Sequence, residues 1–174
     1  IILSTGMASL TEIAEAVEVL ERNNCQEYIL LKCTSQYPAD PINANLATLP
    51  HLQQLFNCQV GISDHTTGIG IAIAATALGA TVIEKHFVID RRAGGVDAAF
   101  SLEADEFALL VNETKRTRMA IGNISYGCTK SEISSRKLRR SLYIVKDVAE
   151  GDILTRENVR AIRPGLGLPV KHLK

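Results

Sequence analysis

The most constraining feature of this sequence is an alternation. Four short apolar runs, Ile1-Ile2-Leu3, Tyr28 to Cys33, Val60 to Ser63 and Thr81 to Phe87, are each followed by a stretch with helical periodicity. The first of these stretches opens on Ser9-Leu10-Thr11-Glu12, the form of a capping box, and places Ile13, Ala16, Val17 and Leu20 on one face before Asn23-Asn24 stops it. The second runs through Leu46, Leu49, Leu52 and Leu55, the third from Gly68 to Leu78, and the fourth from Glu103 to Ile121 with Phe107, Leu110 and Val111 on one face. Repeated strand–helix units with apolar strands require a parallel sheet and right-handed crossovers. Two α/β architectures satisfy that: a doubly wound open sheet or part of an eight-stranded barrel. No G-x-G-x-x-G follows the first strand, so a dinucleotide fold has no support. In both architectures reactive groups belong at the carboxyl ends of the strands.

The chain has 174 residues, 46% hydrophobic and 22% charged, enough for one domain or one and a half. Nineteen basic residues balance nineteen acidic ones, which excludes a global polyanion-binding field. Basic clusters with aromatic interleaving are absent as well, so no nucleic-acid partner is expected. No apolar run reaches the roughly 20 residues of a membrane helix. The four cysteines show no C-x-x-C spacing and fit a reduced, cytoplasmic protein. The chain opens directly on an apolar run with neither an initiator Met nor signal-peptide anatomy, so it reads as a piece of a longer chain. After Gly122 the texture becomes polar and basic. The expected organisation is a βα segment over 1–122, a linker over 123–138, and a small β-rich module over 139–174. In that module Arg140 to Val145 reads as a strand and Thr155-Arg156-Glu157-Asn158 as a helix start.

The strand ends are unusually polar. Period-two alternation places Ser63 and His65 on one face, and Glu84 and His86 on one face. The two histidines are one βα repeat apart, so they can converge on a divalent transition ion, or can be two hydrogen-bonded side chains at a sheet edge. Cys33, Ser35 and Tyr37 share a face if the second strand stays extended; their hydroxyls can bind a polyhydroxylated or acetamido ligand, or belong to an ordinary turn. Ser4-Thr5-Gly6 gives a weak anion-site signal at the first strand's end. Asp90 to Asp97, with two glycines and both charge types, reads as an active-site loop or a solvated one. A Schiff-base lysine is disfavoured, because Lys85 alternates away from the His86 face and Lys32 from the Ser35 face.

Taken in order, Leu3-Ser4-Thr5-Gly6-Met7, Cys33-Thr34-Ser35-Gln36-Tyr37-Pro38, Gly61-Ile62-Ser63-Asp64-His65-Thr66, Ile83-Glu84-Lys85-His86-Phe87 and Arg163-Pro164-Gly165 resemble the sialic acid synthase family, over essentially the whole chain. Gly94 to Glu103, Tyr126-Gly127-Cys128-Thr129, Arg139 to Tyr143 and Arg163 to Pro169 resemble its pseudaminic acid branch, and Ser35 stands where N-acetylneuraminate synthases commonly have Asn. The resemblance implies condensation of phosphoenolpyruvate with an N-acetylated amino sugar to a nine-carbon 2-keto acid. The sugar would be a 2,4-diacetamido-2,4,6-trideoxy hexose, with N-acetylmannosamine as the alternative. It implies a (β/α)8 TIM barrel followed by an antifreeze-like domain, in a domain-swapped homodimer. By the same resemblance His65 and His86 hold Mn2+ or Mg2+, and Glu84 and Asp97 are catalytic. Ser4 and Ser63 hold the phosphoenolpyruvate end, Ser35 and Tyr37 line the sugar site, and Arg163 reaches the sugar from the partner subunit.

Four βα units are half of such a barrel. The expectation is therefore strands five to eight plus the start of the antifreeze-like domain, inactive alone and prone to associate through two open strand edges. The alternative of another class is a non-catalytic sugar-binding module, which has no need of polar strand ends.

Overall fold

The Ser9 box closes as the sequence predicts. In the computed structural model, which describes residues 1–173, Ser9 Oγ accepts from the Glu12 amide at 3.3 Å and Glu12 Oε2 accepts from the Ser9 amide at 2.7 Å. This satisfies two free amides at the start of α1 (Leu10–Arg22), which buries Ile13 and Val17. Asn23 caps its end, and Asn24 takes the left-handed conformation at φ 61°. The strands are β1 (Ile2–Ser4), β2 (Ile29–Cys33), β3 (Gln59–Asp64) and β4 (Val82–Lys85). The remaining helices of the repeat are α2 (Thr48–Phe56), α3 (Gly70–Ala77) and α4 (Ala104–Ile121).

All four strands are parallel, in the spatial order β1-β2-β3-β4. That order separates the two architectures left open by the sequence. A doubly wound sheet reverses its strand order at a switch point, whereas here each strand lies beside its predecessor. The sheet is a curled parallel half-barrel. Its outward residues Leu30, Val60 and Ile62 pack with Ile13, Val17, Leu49, Leu52 and Ala75 of the helices. A second cluster joins Ala72 of α3 to Leu102, just before α4, and to Leu110 within it. The inward side is shaped by Gly61, where a Cβ would lie 2.4 Å from the Val82 carbonyl oxygen and 2.5 Å from Leu31 Cδ2. Leu31, itself fully buried, therefore crosses over β3 at the one residue that leaves room.

The chain divides into two compact units, Ile1–Asn123 and Ile124–Lys174. The second holds an antiparallel sheet in the order β6-β5-β7, made by β5 (Ser141–Ile144), β6 (Val159–Ile162) and β7 (Leu168–Pro169). Ser141 is its polar hub, donating to the Pro164 carbonyl at 2.8 Å and accepting from the Gly167 amide at 2.9 Å. Residues 123–138 carry two 3-10 turns, Lys130–Glu132 and Ser134–Leu138, and the Lys137 carbonyl accepts from Gly165 at 2.8 Å. The helix start expected at Thr155 is instead a single turn. The Thr155 amide donates to Asn158 Oδ1 at 2.7 Å and the Val159 amide to the Thr155 carbonyl at 2.9 Å, and the chain then enters β6. One turn fixes too many dihedrals for its hydrogen bonds to propagate unless helical periodicity follows. Here Val159-Arg160-Ala161-Ile162 alternates instead. The overall charge balance hides a segregation: residues 1–123 hold eight basic and fourteen acidic residues, and residues 124–174 hold eleven basic and five acidic.

Candidate functional site

The register of the sheet builds the site in rows. Cys33, Ser63 and Glu84 are in-register neighbours on β2, β3 and β4, so their side chains point to the same inward side. Ser63 donates to Glu84 Oε1 at 2.6 Å. Two residues further along, just past the strand ends, His65 and His86 stand with ring centroids 5.2 Å apart and planes at 72°. The expected convergence of these two side chains is therefore present.

One of the two imidazoles is held at Nδ1. His65 Nδ1 lies 2.9 Å from the Thr34 carbonyl oxygen, which can only accept, so the ring carries its proton there and keeps Nε2 as a lone pair. His86 Nδ1 lies 3.6 Å from Asp97 Oδ2, beside a carboxylate but beyond hydrogen-bond distance. His65 is buried and His86 half-buried. Tyr37 lies over His65 at 4.2 Å, and Phe100 packs on His86 at 5.0 Å. These contacts join Tyr37, His65, His86 and Phe100 into one wall. No cluster of three or more His, Cys, Asp or Glu side chains suited to a metal occurs among the described residues. The nitrogen donors available here are the two imidazoles.

The other predicted residues fall in different places. Ser35 lies near the cluster, its Oγ 3.9 Å from Cys33 Sγ and 3.0 Å from where a Cβ on Gly6 would sit. Asp97 reaches the cluster from the loop after β4. That loop is held by Arg91, which pairs with Glu106 and donates to the Ser101 carbonyl at 2.9 Å. Ser4 is paired in register with Leu31, whose neighbour is Gly61, so it lies one inward row below Ser63 and Glu84. Arg163 belongs to the second unit, exposed in the turn after β6. Neither strand lysine faces the histidines. Lys85 is buried against Asp64, and Lys32 donates to the Cys33 carbonyl at 2.8 Å while burial pushes its ammonium below the ordinary lysine value.

A cavity of about 910 Å³ opens at the opposite, amino-terminal end of the strands, lined by Ile1, Tyr28, Phe56 and Cys58 among others. Burial raises the Tyr28 hydroxyl and the Cys58 thiol there. No residue of the histidine cluster reaches it, and chemistry in a parallel sheet sits at the other end.

Residues 1–126 match the family model described as the NeuB family. The chain belongs to the NeuB family. It is 38% identical over 170 residues to a pseudaminic acid synthase of Campylobacter jejuni serotype O:23/36, covering 98% of this chain and 50% of that protein. It is 43% identical over 171 residues to an N,N'-diacetyllegionaminic acid synthase of Campylobacter jejuni serotype O:2, covering 97% and 51%. Among solved structures it resembles an N-acetylneuraminic acid synthetase of Leptospira borgpetersenii in complex with citrate. The TM-score is 0.70 and the identity 40%, over 77% of this chain and 47% of that one. The chain thus spans about half the length of the NeuB-family relatives it matches. No described helix is long and apolar enough to cross a membrane.

Phe100, Asp64 and the Thr34 carbonyl were not singled out from the sequence. Phe100 falls within the Gly94 to Glu103 stretch but reads as an ordinary apolar residue. A carbonyl acceptor leaves no side-chain signal at all.

Proposed function

We propose that the protein to which this chain belongs condenses phosphoenolpyruvate with an N-acetylated amino sugar. C3 of phosphoenolpyruvate forms a bond to the open-chain aldehyde carbon, water adds at C2, and phosphate leaves with its bridging oxygen. The observation that carries this reading is the pair of imidazoles brought together at neighbouring strand ends, with His65 held at Nδ1 by the Thr34 carbonyl and the Asp97 carboxylate beside His86 Nδ1. An acceptor at the second ring nitrogen is the outer-shell pattern of metal-binding histidines, complete here at His65, and His65 and His86 would hold Mn2+ or Mg2+ with oxygens from water and substrate completing the shell. The chemistry such an ion supplies is polarisation of a carbonyl.

The remaining roles fall to the chain's own groups. Glu84, fixed by Ser63, and Asp97 accept hydrogen bonds from sugar hydroxyls and move protons at the reacting end. Tyr37 and Ser35 orient the acetamido groups over the enol carbon. Ser4 donates to the phosphate and carboxylate end, and Ser63 joins it there when its hydroxyl turns from Glu84 to the incoming anion. Arg163 acts from the second unit of a partner copy, in a domain-swapped cytoplasmic homodimer whose small unit is antifreeze-like. The substrate we favour is a 2,4-diacetamido-2,4,6-trideoxy hexose of the pseudaminic acid type, supported by Ser35 and by the pseudaminic acid synthase relative. A legionaminic-type sugar is the second reading, favoured by the 43% identity to that synthase.

The test is product analysis of the complete enzyme offered each sugar with phosphoenolpyruvate and Mn2+. A nine-carbon keto acid should form. His65→Ala and His86→Ala should each abolish metal-dependent turnover, and unchanged kinetics in both would remove them as ligands. The 174-residue chain alone should give no product.

A further inference from the structure

Directly before each histidine stands a residue that the proposed chemistry does not use. Asp64 and Lys85 are in-register neighbours on β3 and β4, and each side chain is only about 1% exposed. Lys85 Nζ donates to Asp64 Oδ2 at 2.9 Å and to the Thr66 carbonyl at 2.5 Å. Asp64 Oδ1 accepts from the Thr66 amide at 2.9 Å and from its hydroxyl at 2.7 Å. His65 is therefore bracketed by Asp64 and Thr66, both tied to one ammonium, and His86 follows that ammonium's own residue. The His65 and His86 carbonyls are held in turn by the Ala39 and Leu102 amides, at 2.9 Å each.

We infer that Asp64 and Lys85 are positioning residues, a cross-strand clamp that sets the spacing of the two imidazoles. The pair lies on the face opposite the site, so it touches neither ion nor substrate. A buried ion pair is weak evidence of net stabilisation, since a well-packed apolar pair often serves as well. What an apolar pair cannot do is fix Thr66 from both its amide and its carbonyl while joining β3 to β4 at the last paired position. Two ligands contributed by two strands need that fixed geometry, because outer-shell partners set ligand orientation.

This inference rests on the metal-site reading above, and two readouts separate their failures. In the complete enzyme, the apolar double variant Asp64→Leu/Lys85→Met should weaken Mn2+ binding about 10- to 100-fold, measured by the paramagnetic resonance of free Mn2+. The KM for Mn2+ should rise with little change in kcat at saturating metal, and Lys85→Arg should retain most of the affinity. Wild-type Mn2+ affinity in a folded double variant overturns the clamp. If the double variant does not fold, Thr66→Val, which keeps the ion pair and removes one bond to it, should still lower the affinity, and wild-type affinity there overturns the clamp equally. The metal-free ring signals of His65 and His86 in nuclear magnetic resonance should shift or broaden in whichever variant folds, with His51 and His172 unchanged. That readout stands even if His65→Ala and His86→Ala leave Mn2+ binding intact, which would sink the metal reading alone. Unmoved ring signals would sink the clamp.

Discussion

Replacing Gly61 by alanine should loosen the half-barrel from inside. The added methyl would lie 2.4 Å from the Val82 carbonyl oxygen and 2.5 Å from Leu31 Cδ2, where ordinary contact begins near 3.4 Å. About 1 Å must be found somewhere. Backbone gives little, since strands in a ladder stand about 4.8 Å apart and 1 Å of widening stretches a 2.9 Å hydrogen bond to about 3.9 Å, beyond bonding. Leu31 gives little either, because it is fully buried. Overpacking of this kind costs about 1–3 kcal/mol. A unit of this size loses about 3–5 °C per kcal/mol, so the melting temperature should fall by about 3–15 °C. Gly70→Ala is the control: nothing lies within 4 Å of its Cβ, it begins α3, and alanine there should be neutral or stabilising by about 0.5–1 kcal/mol. Thermal melts followed by far-ultraviolet circular dichroism, with urea midpoints alongside, decide it. If Gly61→Ala melts with the parent, the inner wall is not packed as described.

Two further outcomes follow from other parts of the molecule. The Ser9 amide, and then its hydroxyl, hold the Glu12 carboxyl below the ordinary glutamate value of 4.5. The folded state therefore binds fewer protons there than the unfolded chain, so this stabilisation is present above pH 4.5 and is lost as pH falls through the lower folded value. Urea midpoints from about pH 3 to 6 should show a shallower acid-side fall in Glu12→Gln, and parallel profiles would contradict the box. The outer edges of β1 and β4 have no strand partner among the described residues. The isolated chain should associate as concentration rises, and a scattering mass that stays monomeric would count against it.

The helices were legible because their signals are local. Ser9 and Glu12 announce a start, and Ile13 and Val17 fall on one face whatever the sheet does. Thr155 carries a similar local signal and does not begin a helix, because the alternation after it favours a strand, and that depends on partners far along the chain. The site divides in the same way. The His65 to His86 separation is the length of one βα repeat, so sequence alone could bring them together. Tyr37 lies against His65 in a tilted ring contact, although β2 ends at Cys33 and the extended path that would put Cys33 and Tyr37 on one face does not continue. Of the Asp64–Lys85 pair, the sequence marked only Lys85, as a residue alternating away from the His86 face. Its meaning needed the register, which shows the two side by side.

The balanced charge of this chain is a cancellation between two modules. Residues 1–123 carry the acidic excess and residues 124–174 the basic one. Cut at that boundary, the pieces would bind opposite ion exchangers at neutral pH, although the intact chain has an isoelectric point near 7.1. Each module's field is screened over about 8 Å at physiological salt. Salt dependence is therefore a property of each piece that the neutral total gives no reason to look for.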